Sequence, residues 1–386
     1  MKKIRKKTKN FFVIVLLCVL SGIIGFYIQR KQNYVNEYVD VAYKTINTEV
    51  VEKASLVMVG DALIHMPLNY AMKTSNGYDF SPIFKKLKDK IGSYDLAYYN
   101  QETILGGTEL GLYGYPQFNS PQEVGDAFLD VGFNLVSLAT NHTMDNYYRT
   151  GGKNITNSVN YWKSKSDKVI AAGSYLSEED RNEVIIKEVN GIKYALLSYT
   201  EQTNGISVPS GKSYLCNVYN KDKVKEDVLK YRDKVDVLMV AMHWGEEYTN
   251  TPTSGELEKA KYLASLGVDI IIGCHPHVMQ PMDYIGDTLV IYSLGNFVSN
   301  QSGYNKQTGL MASCNIVKRT FHGKTKVSIE DAEAEFVYTN KNDKYTVYPY
   351  SELNNNILYN YKSYFEFFKK VIHKYSDKVI VKELSN

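Results

Sequence analysis

The chain has 386 residues, enough for one large domain or two ordinary ones with a sizeable buried core. Its formal charge of +3 is unevenly placed: Lys2, Lys3, Arg5, Lys6, Lys7, Lys9, Arg30 and Lys31 are basic, and residues 1–31 hold no acid. Taking these eight from the 45 Lys and Arg leaves 37 against 42 Asp and Glu, about −5 for the remainder. No basic stripe survives in the body of the chain, which argues against a nucleic-acid partner.

Phe11 to Ile28 is an uncharged run of 18 residues, just long enough to cross a bilayer. Six basic residues precede it, so the N-terminus is expected in the cytoplasm and the rest outside the membrane. A cleaved signal peptide is the alternative. No small-x-small cleavage site follows the run, and Cys18 comes after Leu17 rather than a small residue, which also argues against a lipoprotein. A single-pass anchor over residues 1–30 is the expectation, followed by a polar tether over 31–52. Cys216, Cys274 and Cys314 are too few and too scattered for a disulfide framework.

From Ala54 strand and helix patterns alternate. "SLVMVGD" reads as a strand ending at Asp61, and "SPIFKKLKDKIGSY" as a helix with Ser81 as N-cap and Pro82 at its first position. "LAYYNQE" is a strand ending near Glu102. "SPQEVGDAFLDVG" opens on Ser120 with Glu123 three residues on, the pattern of a capping box, and closes at Gly132. The strand "NLVSLATNH" follows. "EVIIKEVNGIKYALLSYT" is a hairpin around Asn190-Gly191. The helix "KDKVKEDVLKYRDK" leads to the strand "VDVLMVAMHWG", and "GELEKAKYLASLG" leads to "VDIIIGCHPH" and then "DTLVIYSLGNF". Two further strands, "LMASCNIVKR" and "KVSIEDAEAEFVYT", close a domain over 53–340, and residues 341–386 read as a helical extension. The alternation points to an α/β core with an added antiparallel part.

Five strands end in groups able to ligate a metal: Asp61, Glu102, Asn141-His142, His243, and the pair His275 and His277. In open α/β sheets the carboxyl ends of strands gather along one edge, where sites form. Carboxylates, an amide oxygen and imidazoles together suit Mn, Fe or Zn better than Ca or a thiolate cluster. His-x-His in extended backbone would place two imidazoles on one face, about 6–7 Å apart. Taken singly, each group has a plainer reading: a turn residue, a cap or a satisfied core histidine. Their shared position at strand ends weakens that reading. His65, four residues after Asp61, could lie near the same edge. Asp145, Glu246 and Glu247 are candidates to orient imidazoles.

"VGDALIH", "NQETIL", "SLATNHTMD", "MHWGEEY", "GCHPHVMQP" and "YSLGNFV" occur in the order found in the capsule-biosynthesis CapA family of poly-γ-glutamate synthesis proteins, a branch of the calcineurin-like metallophosphatases. The resemblance covers roughly Ser55 to Asn300 and implies a four-layer αββα sandwich with a site for two divalent metal ions at one edge. It implies Asp61, Glu102, Asn141, His243, His275 and His277 as metal ligands, Glu102 bridging, and His142 as the histidine that works on substrate. Three departures stand out. Leu63 occupies the place where the phosphatase pattern has a histidine, Glu102 replaces an aspartate, and Thr140 rather than Gly precedes Asn141. With these departures one metal position is expected to be weaker, differently built with His65 as the substitute, or absent.

The implied setting is capsule polymer synthesis or export outside the membrane, beside a membrane synthase complex, on poly-γ-glutamate or a related cell-surface polyanion. A phosphoesterase acting on a small or lipid-linked phosphate, and a non-catalytic polymer-binding subunit, are the alternatives. A slightly acidic ectodomain does not attract a polyanion through net charge, so metal ions or a local basic pocket would have to make the contact.

Overall fold

A computed structural model describes residues 2–46 and 48–384; Asn47 of the expected tether, and Ser385 and Asn386 of the expected C-terminal extension, lie outside the described residues. The chain divides into two compact units, Met1–Val51 with Arg319–Lys326, and Glu52–Lys318 with Val327–Asn386. The first contains the helix Lys2–Ile46. Its apolar side chains, among them Phe11, Leu16, Ile24 and Ile28, are exposed. Among the described residues it is the one helix long and apolar enough to cross a membrane, a length and composition that membrane anchors and signal sequences share. Residues 31–46, expected as a tether, continue this helix; they include no Gly or Pro that would end it.

The second unit is built on two sheets. In the first, Ile170–Ala172, Leu135–Ser137, Leu96–Asn100 and Val50–Leu63 run parallel, and Thr308–Phe321, Lys324–Asn340 and Thr346–Pro349 continue beyond them. Asn296–Ser299 also pairs with Val50–Leu63. In the second, Ile192–Thr200, Val237–His243, Ile270–Cys274 and Thr288–Ile291 run parallel, flanked by Lys187–Val189 and Met282–Ile285. The expected hairpin is present: Asn190 and Gly191 both take positive φ, 50° and 81°, as a tight two-residue hairpin turn requires.

Side-chain alternation along the strands builds the layers. Leu56, Met58, Leu96 and Tyr98 meet Leu196, Met239, Ile270 and Ile272 between the two sheets. The alternate residues Val57, Val59, Ala97 and Tyr99 face Ile83, Phe84, Phe128 and Trp162 on one outer side. On the other, Leu238, Val240 and Ile271 face Val224, Val228, Ala260 and Leu263. The helices Glu123–Asp130 and Lys153–Lys163 therefore cover one sheet, and Lys221–Arg232 and Ser254–Ser265 the other. The result is the expected four-layer sandwich.

Local expectations differ in three places. Ser120 caps no helix; its hydroxyl donates to Thr103 Oγ1, and the helix starts at Glu123. The capping box is formed instead by Thr253 and Glu256. "SPIFKKLKDKIGSY" yields a 3₁₀ turn, Ser81–Phe84, and one helical turn, Lys88–Ile91. The C-terminal segment holds the expected helix, Tyr361–Ile372, but Thr346–Pro349 and Ile380–Val381 also add strands to the first sheet. All four cysteines are free thiols.

Ile272 is fully buried between the sheets. Ile272→Ala is expected to destabilise the chain by about 2–5 kcal/mol, lost transfer energy plus a cavity. Urea unfolding followed through the buried Trp162 and Trp244 measures it, and an unchanged midpoint would contradict the layering.

Candidate metal centre

Strand register places the ligand candidates. Across the first sheet Asp61 pairs with Asn100, and Asn100 with Ser137, so three strand ends stand in one row. Across the second, His243 pairs with Cys274, directly before His275. Two glycines allow the close approach of chains beneath this row. A Cβ on Gly60 would lie 1.8 Å from the Gly295 carbonyl oxygen, and one on Gly273 would lie 1.9 Å from that of Tyr292. The strand Val50–Leu63 also shifts register between Met58 and Asp61, which re-aims its end.

Asp61, Glu102, Asn141, His142, His243, His275 and His277 are all buried and meet at this edge. Glu102 is the hub. Its Oε1 lies 3.7 Å from His277 Nε2, 3.9 Å from His243 Nε2 and 4.0 Å from His142 Nε2. Two groups of donor atoms could each hold a cation: Asp61, Glu102 and His277, and Glu102, His243 and His275, with the atoms of each group within 4.8 Å of one another. Glu102 belongs to both. Asn141 Oδ1, 2.9 Å from His243 Nε2, adds an amide oxygen to the second group.

The electrostatics fit a cation. Both Glu102 oxygens and His275 Nδ1 are buried with no hydrogen-bond partner among the described residues. Burial raises the Glu102 carboxyl well above its usual range, partly offset by His277. Burial lowers His275 to about 4 and puts His243 well below its ordinary value; neighbouring imidazoles add to both shifts. Burial alone would lower His277 too, but the Glu102 and Asp61 carboxylates more than offset it and hold the ring at about 9. Neutral His243 and His275 beside converging carboxylates form a donor set for a divalent metal, and His277 would release its proton on joining an ion.

The His-Pro-His segment is not extended. His275 and His277 have φ of 101° and 59°, a conformation costing about 1–3 kcal/mol for a non-glycine residue. The turn, rather than strand alternation, aims both rings inward, with centroids 6.0 Å apart.

His142 is set differently. Its Nδ1 lies 2.7 Å from Asp145 Oδ2, and the same carboxylate oxygen accepts from the Phe118 backbone N–H at 2.6 Å. Burial raises Asp145, against these bonds. The Phe118 ring stands edge-on to His142 and to His65, at 4.7 and 5.2 Å. His65 belongs to neither donor group; Leu63 O lies 3.0 Å from its Nδ1 and the Asn300 N–H 3.3 Å away. Burial lowers it to about 4. Glu246 and Glu247 are exposed, and neither hydrogen-bonds an imidazole among the described residues. Leu63 carries no donor, which leaves the Asp61 group three candidate donor residues among the described residues.

Three orienting residues escape the sequence reading. Asn100 donates to Asp61 Oδ1 at 2.8 Å and lies 3.3 Å from His243 Nδ1, so one amide orders a candidate donor from each sheet. Ser137 in turn donates to Asn100 Oδ1. Asn296 Oδ1 lies 3.1 Å from His277 Nδ1. Asn100 and Ser137 stand at strand ends beside the chosen candidates, and that position was the available signal.

Residues 55–301 match the family described as bacterial capsule synthesis protein PGA_cap. The chain belongs to this family. Among relatives of the PGA_cap chain, the capsule biosynthesis protein CapA of Bacillus anthracis is 26% identical over 309 residues, 78% of this chain and 71% of that protein. The PGA biosynthesis protein CapA of Bacillus subtilis (strain 168) is 28% identical over 179 residues, 45% of this chain and 44% of that one. Among solved structures, the calcineurin-like phosphoesterase YfkN from Bacillus subtilis is similar at 15% identity with a TM-score of 0.44, covering 73% of this chain and 91% of that one.

Because Glu102 serves both donor groups, Glu102→Ala is expected to abolish divalent-ion retention by the purified full chain. His275→Ala is expected to remove one ion and spare the other. Elemental analysis decides this; equal metal in Glu102→Ala and the wild type would contradict the assignment.

Proposed function

We propose that this PGA_cap-family chain is a membrane-anchored, extracytoplasmic component of capsule polymer synthesis or export, working on poly-γ-glutamate or a related polyanion through a hydrolase-like site that uses two divalent cations. The observation that carries the reading is the buried Glu102 carboxylate, shared between two donor groups and without a hydrogen-bond partner. The capsule setting is supported by the family and by the names of its relatives. The anchor reading is supported by the exposed apolar run of the N-terminal helix and by the basic residues that precede that run, which favour a cytoplasmic N-terminus.

Asp61, Glu102 and His277 would hold one ion, and Glu102, His243, His275 and Asn141 the other, a mixed O/N set suited to Mn, Fe or Zn. Such ions supply Lewis acidity toward an anionic oxygen and lower the pKa of water toward about 7. The chain supplies the rest. Asp145 accepts Nδ1–H of His142, which fixes the tautomer and leaves Nε2 facing Glu102. His142 can then give a proton to a leaving oxygen at Nε2, and Asp145 steadies the imidazolium when that nitrogen is protonated. Phe118, packed edge-on against His142, keeps water from its flank. Asn100 holds Asp61 and His243 at a fixed separation across the two sheets.

His142→Ala is expected to keep the ion content while reducing turnover by about 10²–10⁴-fold, the usual weight of one proton-transfer group. In a deletion strain, surface polymer should be restored by the wild type but not by Asp61→Ala or His142→Ala. Full restoration by His142→Ala would overturn its role. Restoration by Asp61→Ala would leave only a non-catalytic accessory subunit.

A further inference from the structure

An acidic domain that handles a polyanion needs a local cationic contact, and two lysines at the edge of the ligand cluster provide one. Lys306 lies in the helical turn Tyr304–Gln307, and Lys341 follows the strand Lys324–Asn340; both are half-buried. Several other half-buried lysines are paired, Lys318 with Asp236 and Glu52, Lys259 with Glu201, and Lys382 with Glu333, while Lys187 donates to the Asp167 carbonyl. Lys306 and Lys341 have no carboxylate within ion-pair distance among the described residues, so their charges are free to meet an incoming anion.

Lys306 is tied to the cluster through Asn296, and Lys341 reaches it through His65, whose ring feels the charges of His277, His142 and Lys341. The Asn296 amide donates to the Lys306 carbonyl at 2.9 Å, and its oxygen lies 3.1 Å from His277 Nδ1. The Lys306 ammonium lies 4.8 Å from the centre of the Tyr248 ring, and that ring is 6.0 Å from the His277 ring. Lys341 Nζ donates to the Asn300 carbonyl at 3.2 Å and to Ser302 Oγ at 2.7 Å, while the Asn300 N–H reaches His65 Nδ1. Partial burial lowers Lys341, and the charge of Lys306 lowers it further, so the two ammoniums sense each other. Like charges held together in a half-buried rim repel, and a bound anion relieves that repulsion. Glu247 contributes negative charge at His277, His275 and Glu102, and an anion would be drawn to the lysines instead.

We propose that Lys306 and Lys341, with Tyr248 beside them, form an anion-recognising rim that seats a carboxylate or phosphoryl group of the substrate next to the Asp61, Glu102 and His277 group. The proposal rests on the reading that this cluster acts on an anionic substrate. It assigns recognition to two residues outside the ligand set, and it supplies the cationic contact that the net charge of the domain lacks.

The test titrates the ion-loaded full chain in detergent with poly-γ-glutamate and, separately, with inorganic phosphate, at low and high salt. Lys306→Ala/Lys341→Ala should bind at least one probe roughly tenfold or more weakly, because a charge-assisted contact is lost. Its ion content should be unchanged and its binding less sensitive to salt. Lys306→Arg/Lys341→Arg should stay near wild type. Weakening with poly-γ-glutamate assigns the rim to carboxylates. Weakening with phosphate alone assigns it to phosphoryl groups and contradicts the polymer, not the rim. Unchanged binding by the double alanine variant overturns the rim and leaves the capsule reading standing; a wild type that binds neither probe also overturns it. Should that variant lose its ions, Lys306→Gln/Lys341→Gln compared with the arginine variant gives the same decision.

Discussion

A carboxylate buried without hydrogen bonds is the constraint around which this molecule is arranged. Taking an ionised carboxylate out of water costs several kcal/mol even after relaxation, and native proteins accept that where a counter-charge or a bound cation offsets it. Glu102 is 1% exposed and faces three imidazole nitrogens at 3.7–4.0 Å, beyond hydrogen-bond distance. Those separations suit groups that share a cation rather than a proton. The neutral state imposed by burial on His243 and His275 points the same way, since a ring nitrogen ligates when neutral, and His277, held protonated by Glu102 and Asp61, would exchange that proton for an ion.

The sandwich delivers these groups because each sheet contributes the ends of its parallel strands. The inter-sheet core of Leu56, Met58, Met239, Ile270 and Ile272 fixes the distance between the sheets. Asn100 then spans it, with one amide reaching Asp61 on its own sheet and His243 on the other. The strained turn at His275 and His277 is held by packing on every side, and backbone strain of this kind persists where the surroundings over-determine it. Gly60 and Gly273 bring the supporting chains into contact beneath the cluster; a side chain on either would push the strand ends apart.

Much of this was legible in the sequence because a site at strand ends leaves a one-dimensional trace: an apolar run followed by Asp, Glu, Asn or His. The ligand candidates from Asp61 to His277 were found that way, and the hairpin from Asn190-Gly191. Other features left no such trace. Asn100 and Asn296 look like ordinary strand-end amides, and their partners lie 143 and 19 residues away. The positive φ of two histidines has no compositional sign, since nothing but tertiary packing imposes it. Ser120 and Glu123 carried a capping signal that lost to a competing hydroxyl contact with Thr103. The polar composition of residues 31–52 points to a tether, whereas the absence of Gly and Pro over 31–46 lets the helix run to Ile46. In the C-terminal segment, short strands completed by pairing with Lys324–Asn340 were hidden beside a strong helical pattern.

Charge is distributed with the same economy. Basic residues crowd the first turns of the N-terminal helix, ahead of its apolar run, the body is slightly acidic, and Lys306 and Lys341, without ion pairs among the described residues, sit near the buried cluster. The central claim is that Glu102 joins two cation sites. Anomalous diffraction from crystals of the chain, collected at the Mn, Fe and Zn absorption edges, tests it directly. The account predicts two peaks flanking Glu102, one against Asp61 and His277 and the other against His243 and His275. No peak at Glu102 in crystals grown with these ions, or an ion bound only at another place, would contradict it.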